Sequence, residues 1–138
     1  MSVRIALLVA EFNRAIIDPM VAAAEDEAKK NGATVVATAR VPGSYELPFV
    51  LVRALARPDV DAAVVLGYIE RGETLHGEVM GQVVHQTFVS LSLQHHKPVG
   101  IGIIGPGATL PQAEARREPY ARAAVRAALA AKKAHDAL

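Results

Sequence analysis

Four short polar stretches carry most of the side chains in this 138-residue chain that could do chemistry. They are Glu11-Phe12-Asn13-Arg14, Pro42-Gly43-Ser44-Tyr45-Glu46, Glu70-Arg71-Gly72-Glu73-Thr74-Leu75-His76 and Gly105-Pro106-Gly107-Ala108-Thr109. Together they offer an aromatic ring for stacking, a Ser and a Glu for hydroxyls, and a Gly-Glu-Thr turn whose backbone N–H groups could cradle a phosphate. His76 adds an imidazole able to move protons in both directions near neutral pH. Each piece also has a plain structural explanation. Phe12 could fold onto a sheet edge, Ser44 could cap a helix, and Glu46 in a first helical turn suits the helix dipole. Gly72-Glu73-Thr74 could be an ordinary helix start and His76 a surface residue of its first turn. The constellation says more than its members.

Other spacings carry no chemistry. Gly100-Ile101-Gly102-Ile103-Ile104-Gly105 matches G-x-G-x-x-G, but its glycines lie inside an apolar run rather than after one, and no acidic residue follows about 20 positions on. Glu73-Thr74-Leu75-His76 has no second copy to build a carboxylate-bridged metal pair. His76-Gly77-Glu78 lacks the cysteines a zinc deaminase needs. His95-His96 before Lys97-Pro98 reads as a helix end, and Asp61 and Glu70 have no nucleophile partner for a serine-type triad. With no cysteine in the chain, disulfides, thiolate zinc sites, iron–sulfur clusters and cysteine nucleophiles are excluded together. No metal site is expected.

The elements that must position these loops follow from hydrophobic periodicity. Ile5 to Ala10 is apolar without alternation, the pattern of a strand covered on both faces. Asp18-Pro19 predicts a helix start, and Lys29-Lys30-Asn31-Gly32 its end. Thr34 to Val41 reads as a strand, Leu47 to Leu55 as a helix stopped by Arg57-Pro58-Asp59, and Ala62 to Tyr68 as a third strand. A long helix runs to about His95, with Met80, Val84, Phe88 and Leu91 as its apolar stripe. Val99 to Ile104 is the fourth strand, Gly105-Pro106-Gly107 a turn, and the Ala-rich remainder from Leu110 is helical, with Pro119 as a point where it could break. Strict βα alternation predicts a flavodoxin-like, three-layer αβα sandwich with a four-stranded parallel sheet and right-handed crossovers; four strands cannot close an eight-stranded barrel. In such a sheet ligands bind outside the carboxyl ends of the strands, where the four polar stretches fall.

Composition sets the remaining bounds. Length predicts one domain over residues 1–138. Hydrophobic residues at 51% exclude disorder, and with 4% aromatic residues and no Trp the core must be aliphatic. A formal net charge of +1 gives no basic face for nucleic acid. Ile5 to Ala10 is too short for a signal core and far too short for a membrane span, so a soluble cytoplasmic protein is expected.

At the loops the chain resembles the lumazine synthases, most closely their archaeal members. The matching segments are Ala10-Glu11-Phe12-Asn13, Val41-Pro42-Gly43-Ser44-Tyr45-Glu46-Leu47-Pro48, Gly67 to His76, Lys97-Pro98-Val99 and Gln112-Ala113-Glu114-Ala115-Arg116. The Pro-Gly-x-x-Glu-x-Pro and Gly-Glu-Thr-x-His turns are the most specific. The resemblance implies a transferase that condenses 5-amino-6-(D-ribitylamino)uracil with 3,4-dihydroxy-2-butanone 4-phosphate, without metal or organic cofactor. It implies that Phe12 stacks on the pyrimidine beside Asn13, that Ser44 and Glu46 take the ribityl hydroxyls, and that Tyr68, Ile69 and Ile101 line the same pocket. Glu73, Thr74 and Arg116 would hold the phosphate, and His76 would transfer protons. Ile101 stands where many members carry a stacking Phe, Gly105-Pro106 replaces a common Thr-Thr, and the segment after Arg116 is shortened, leaving Arg122 as a stand-in for a substrate-contacting Lys. A homopentamer with sites between adjacent subunits is implied, and the sequence leaves open whether twelve pentamers close a sixty-subunit shell. The rival expectations are a non-catalytic flavin-binding module, an assembly scaffold, and an archaeal-type riboflavin synthase; the Gly72 to His76 turn favours the lumazine reaction.

Overall fold

A computed structural model describes residues 2–138. Strands β1 (Arg4–Ala10), β2 (Thr34–Val41), β3 (Ala62–Glu70) and β4 (Val99–Ala108) form one parallel sheet in the order β2-β1-β3-β4. Helices α1 (Arg14–Lys30), α2 (Leu47–Leu55), α3 (His76–His95) and α4 (Leu110–Asp136) follow the strands in turn. This is the flavodoxin-like sandwich expected from the alternation. Among the described residues no helix is long and apolar enough to cross a membrane.

The unbroken apolar run of β1 is explained by its central place. Ile5, Leu7 and Val9 face a core shared with α1 and α4, whereas Ala6, Leu8 and Ala10 face a second core under α2 and α3. Leu7 sits between Thr38 of β2 and Val64 of β3. Each fully buried aliphatic side chain contributes about 1.5–3 kcal/mol. Among the largest fully buried side chains Phe88 is the one aromatic, so both cores are filled mainly by aliphatic packing.

Gly100 and Gly102, the glycines of the rejected dinucleotide pattern, serve packing. A Cβ on Gly100 would collide with the Ala124 carbonyl oxygen, and one on Gly102 would stand 2.7 Å from Leu66 Cδ2. Their bare backbone lets α4 lie directly on β4.

Four features differ from expectation. α1 starts at Arg14, because Asn13 takes a left-handed conformation (φ 60°) that turns the chain into the helix four residues before Asp18-Pro19 could cap it. Pro19 therefore lies inside α1 and cannot donate to the Ala15 carbonyl; an Arg117 guanidinium N–H from α4 reaches that oxygen at 3.4 Å. α4 runs unbroken through Pro119, held by buried Ala113, Ala121, Ala124 and Val125. Finally, β3 extends to Glu70 and β4 to Ala108. Gly105 and Gly107, both at positive φ, absorb an irregularity in β4 rather than end it, after which Ala108 pairs with Glu70.

Candidate active site

The loops after β1, β2 and β3 close around a cleft of about 480 Å³ at the carboxyl edge of the sheet. It opens between β1 and β3, where the chain order reverses, the position at which open α/β sheets bind ligands. Phe12 forms one wall and is half exposed, at 49%. The Tyr68 ring stands 6.3 Å from it at a 37° tilt. Ser44 and Glu46 come from a 3-10 turn, Ser44–Glu46, that precedes α2. Glu46 Oε1 accepts the Gly43 backbone N–H at 2.9 Å, which holds the turn and leaves the second carboxylate oxygen free. Ser44 caps neither that turn nor α2 with its side chain, so its hydroxyl is not spent on the capping role the sequence allowed.

His76 opens α3 and lines the cleft with Thr74. The Thr74 hydroxyl oxygen accepts the His76 backbone N–H at 3.3 Å, tying the loop to the helix start. Ile69, 4% exposed, supplies apolar floor, and burial together with the charge of Glu70 pushes the Tyr68 phenol up. The phenol therefore stays protonated at neutral pH. Glu70, which the sequence places in this loop without a site role, and Met80 also line the cleft. Glu70 was signalled by its place at the carboxyl end of a buried strand; Met80 lies one turn after His76 and read only as apolar stripe.

Arg116 belongs to a second cleft of about 300 Å³ at the end of β4, with Gln112, Tyr120 and the Gly105 to Ala108 backbone. Among the described residues none lines both clefts. Asn13 sits at the α1 start, Glu73 is exposed in the loop before α3, and Ile101 packs against the core under α2 and α3; none of these lines either cleft. Arg122 is also outside both. Its guanidinium donates to Asp26 at 2.7 Å and Glu27 at 3.1 Å on α1, and holds both carboxyls below their usual range. Among the described residues no three His, Asp or Glu side chains converge as a metal site.

What the first cleft can do is bind a flat ring beside Phe12, present a carboxylate and a hydroxyl to a polyol chain, and set an imidazole against it. The family model described as 6,7-dimethyl-8-ribityllumazine synthase matches residues 2–136. The chain belongs to this family. Proteins named 6,7-dimethyl-8-ribityllumazine synthase from Metallosphaera sedula (43% identical over 128 residues, 93% of this chain and 85% of the relative) and Staphylothermus marinus (44% over 124, 90% and 83%) are similar along most of their length. So is one from Aeropyrum pernix, 43% identical over 128 residues covering 92% and 87%. Membership in the lumazine synthase family thus rests on nearly the whole chain, and the cleft lies where its most specific turns meet.

Proposed function

We propose that the chain condenses 5-amino-6-(D-ribitylamino)uracil with 3,4-dihydroxy-2-butanone 4-phosphate to 6,7-dimethyl-8-ribityllumazine, releasing phosphate and water, the penultimate step of riboflavin biosynthesis. The observation that carries this reading is the gathering of Phe12, Ser44, Glu46 and His76 in one cleft of a chain of this family. Phe12 stacks on the pyrimidine with Asn13 beside it, Ser44 and Glu46 bind the ribityl hydroxyls, and Tyr68 and Ile69 form the apolar floor.

The chemistry asks for proton transfer at each stage: amine attack on the ketone, loss of water, elimination of phosphate and ring closure. His76 performs it, a role worth about 10²–10⁴-fold in rate. Much of the remaining acceleration comes from holding two bulky reactants together. Glu73, Thr74 and Arg116 hold the phosphate, Arg116 with a charge that does not titrate and a planar fork matching phosphate oxygens.

The separation of Arg116 from the Phe12 cleft supports a site completed by an adjacent subunit, with Ile101 making an aliphatic contact there. Exposed Val79, Val83, Val89 and Leu93 on α3, with Leu75 before it, form an apolar surface that supports self-association as a homopentamer. Residues 1–138 act as one domain in the cytoplasm. The deciding experiment mixes the purified protein with both substrates and follows lumazine fluorescence and released phosphate. A rate no greater than the spontaneous reaction overturns the assignment, and flavin binding without turnover would instead favour a carrier on the same fold.

A further inference from the structure

We infer that Tyr68 is a positioning residue, whose hydroxyl fixes the Arg116-bearing start of α4 on its own sheet, from which Arg116 serves the adjacent subunit's cleft; this rests on the reading of Arg116 as a phosphate ligand. The Tyr68 ring is 2% exposed and forms part of the wall of the first cleft, next to Phe12. Its hydroxyl points the other way and donates to the Ala108 carbonyl at 3.2 Å. Ala108 lines the second cleft with Arg116 and immediately precedes Thr109, the N-cap of α4. One side chain therefore reaches from the ring-binding wall to the backbone that launches the phosphate-binding helix.

The surroundings explain why this bond matters. β4 reaches Ala108 only past the irregularity at Gly105 and Gly107, so an uninterrupted ladder does not hold its last residues. The Ala108 carbonyl also accepts the Arg71 backbone N–H at 2.9 Å, so the loop leading to His76 and the start of α4 meet at a single oxygen. Thr109 then caps α4 by exchanging hydrogen bonds with Gln112, and the Arg116 guanidinium donates to the Gln112 carbonyl at 3.1 Å. A displacement of Ala108 is passed directly to Arg116 through this rigid turn. A phenylalanine at position 68 would fill the same space and line the same cleft without making the bond.

The test is steady-state kinetics of Tyr68→Phe, Arg116→Ala and the double variant in the full chain, with both substrates varied. Losing one neutral hydrogen bond predicts that Tyr68→Phe raises KM for the butanone phosphate about threefold to tenfold, with a much smaller change for the pyrimidine. In the Arg116→Ala background the same change should have no further effect on that KM, because the arginine it positions is gone. Equal effects on both KM values, no effect, or additive effects in the double variant overturn the inference. If Arg116→Ala leaves the phosphate-substrate KM unchanged, the reading of Arg116 fails and the inference falls with it. If Arg116→Ala raises KM and Tyr68→Phe does not, only the inference fails. A urea midpoint for each variant separates these outcomes from unfolding.

Discussion

The rings of Tyr45 and His76 meet edge to face, with centroids 5.8 Å apart and planes at 65°. The two residues come from different strand-end loops, so the imidazole at the start of α3 is braced by an aromatic delivered from the turn before α2. Its backbone N–H is held by Thr74. Orientation of His76 thus comes from two neighbours and not from burial.

Replacing His76 with Ala should lower kcat at saturating substrate by about 10²–10⁴-fold while KM changes far less, since the imidazole acts on the transition state more than on ground-state binding. Fluorescence of the lumazine product reports this directly. An unchanged kcat would remove His76 from the chemistry.

Phe12 should matter mainly for the pyrimidine. Loss of a stacked ring worth about 0.5–1.5 kcal/mol beyond its buried area predicts a pyrimidine KM raised by about tenfold in Phe12→Ala, with KM for the phosphate substrate much less affected. A pyrimidine KM equal to that of the unaltered chain would count against the stacked pose.

Asp61 gives a pH dependence whose sign is fixed by its partner. The Arg4 guanidinium and backbone N–H donate to its carboxylate at 2.8–3.0 Å and hold it below the usual carboxylate range, chiefly through the side-chain hydrogen bond. A depressed carboxyl contributes stability above its unfolded value of about 4, lost as pH falls through the lower folded value. Asp61→Asn should therefore be less stable than the parent at neutral pH and lose less stability on acidification below about pH 4. Urea midpoints at several pH values measure it; parallel acid limbs for the two proteins would refute it.

Arg122 bridges α1 and α4 through Asp26 and Glu27, outside both clefts. Arg122→Ala is expected to lower the urea midpoint modestly, as partly exposed ion pairs do. A raised substrate KM without any loss of stability would assign the residue to the site, as a stand-in for a lysine.

The fold was legible where one physical signal dominated. Ile5 to Ala10 could only be a strand covered on both faces, and the loop residues Phe12, Ser44, Glu46 and His76 fell together because parallel topology sends every strand end to one edge. Elsewhere a stronger local signal concealed a weaker one. Asp18-Pro19 is a better helix start than Arg14 on propensity, yet the left-handed Asn13 sets the entry, and no sequence pattern announces that conformation. Gly105-Pro106-Gly107 reads as a turn because its glycines permit positive φ, and the chain uses that freedom for a bulge. Whether an arginine reaches a cleft depends on helix placement: Arg116 and Arg122 share α4, yet Arg116 lines a cleft and Arg122 is spent on α1.

Pro19 inside α1 has one more consequence. The proline strips the Ala15 carbonyl of its helical donor, and Arg117, 102 residues away, supplies another. A defect in one helix is thus matched to a side chain on another, and the two positions form a lock and its key. Among related chains, a residue other than proline at position 19 would release position 117 to vary, so the two sites should change together even though neither lines a cleft described above.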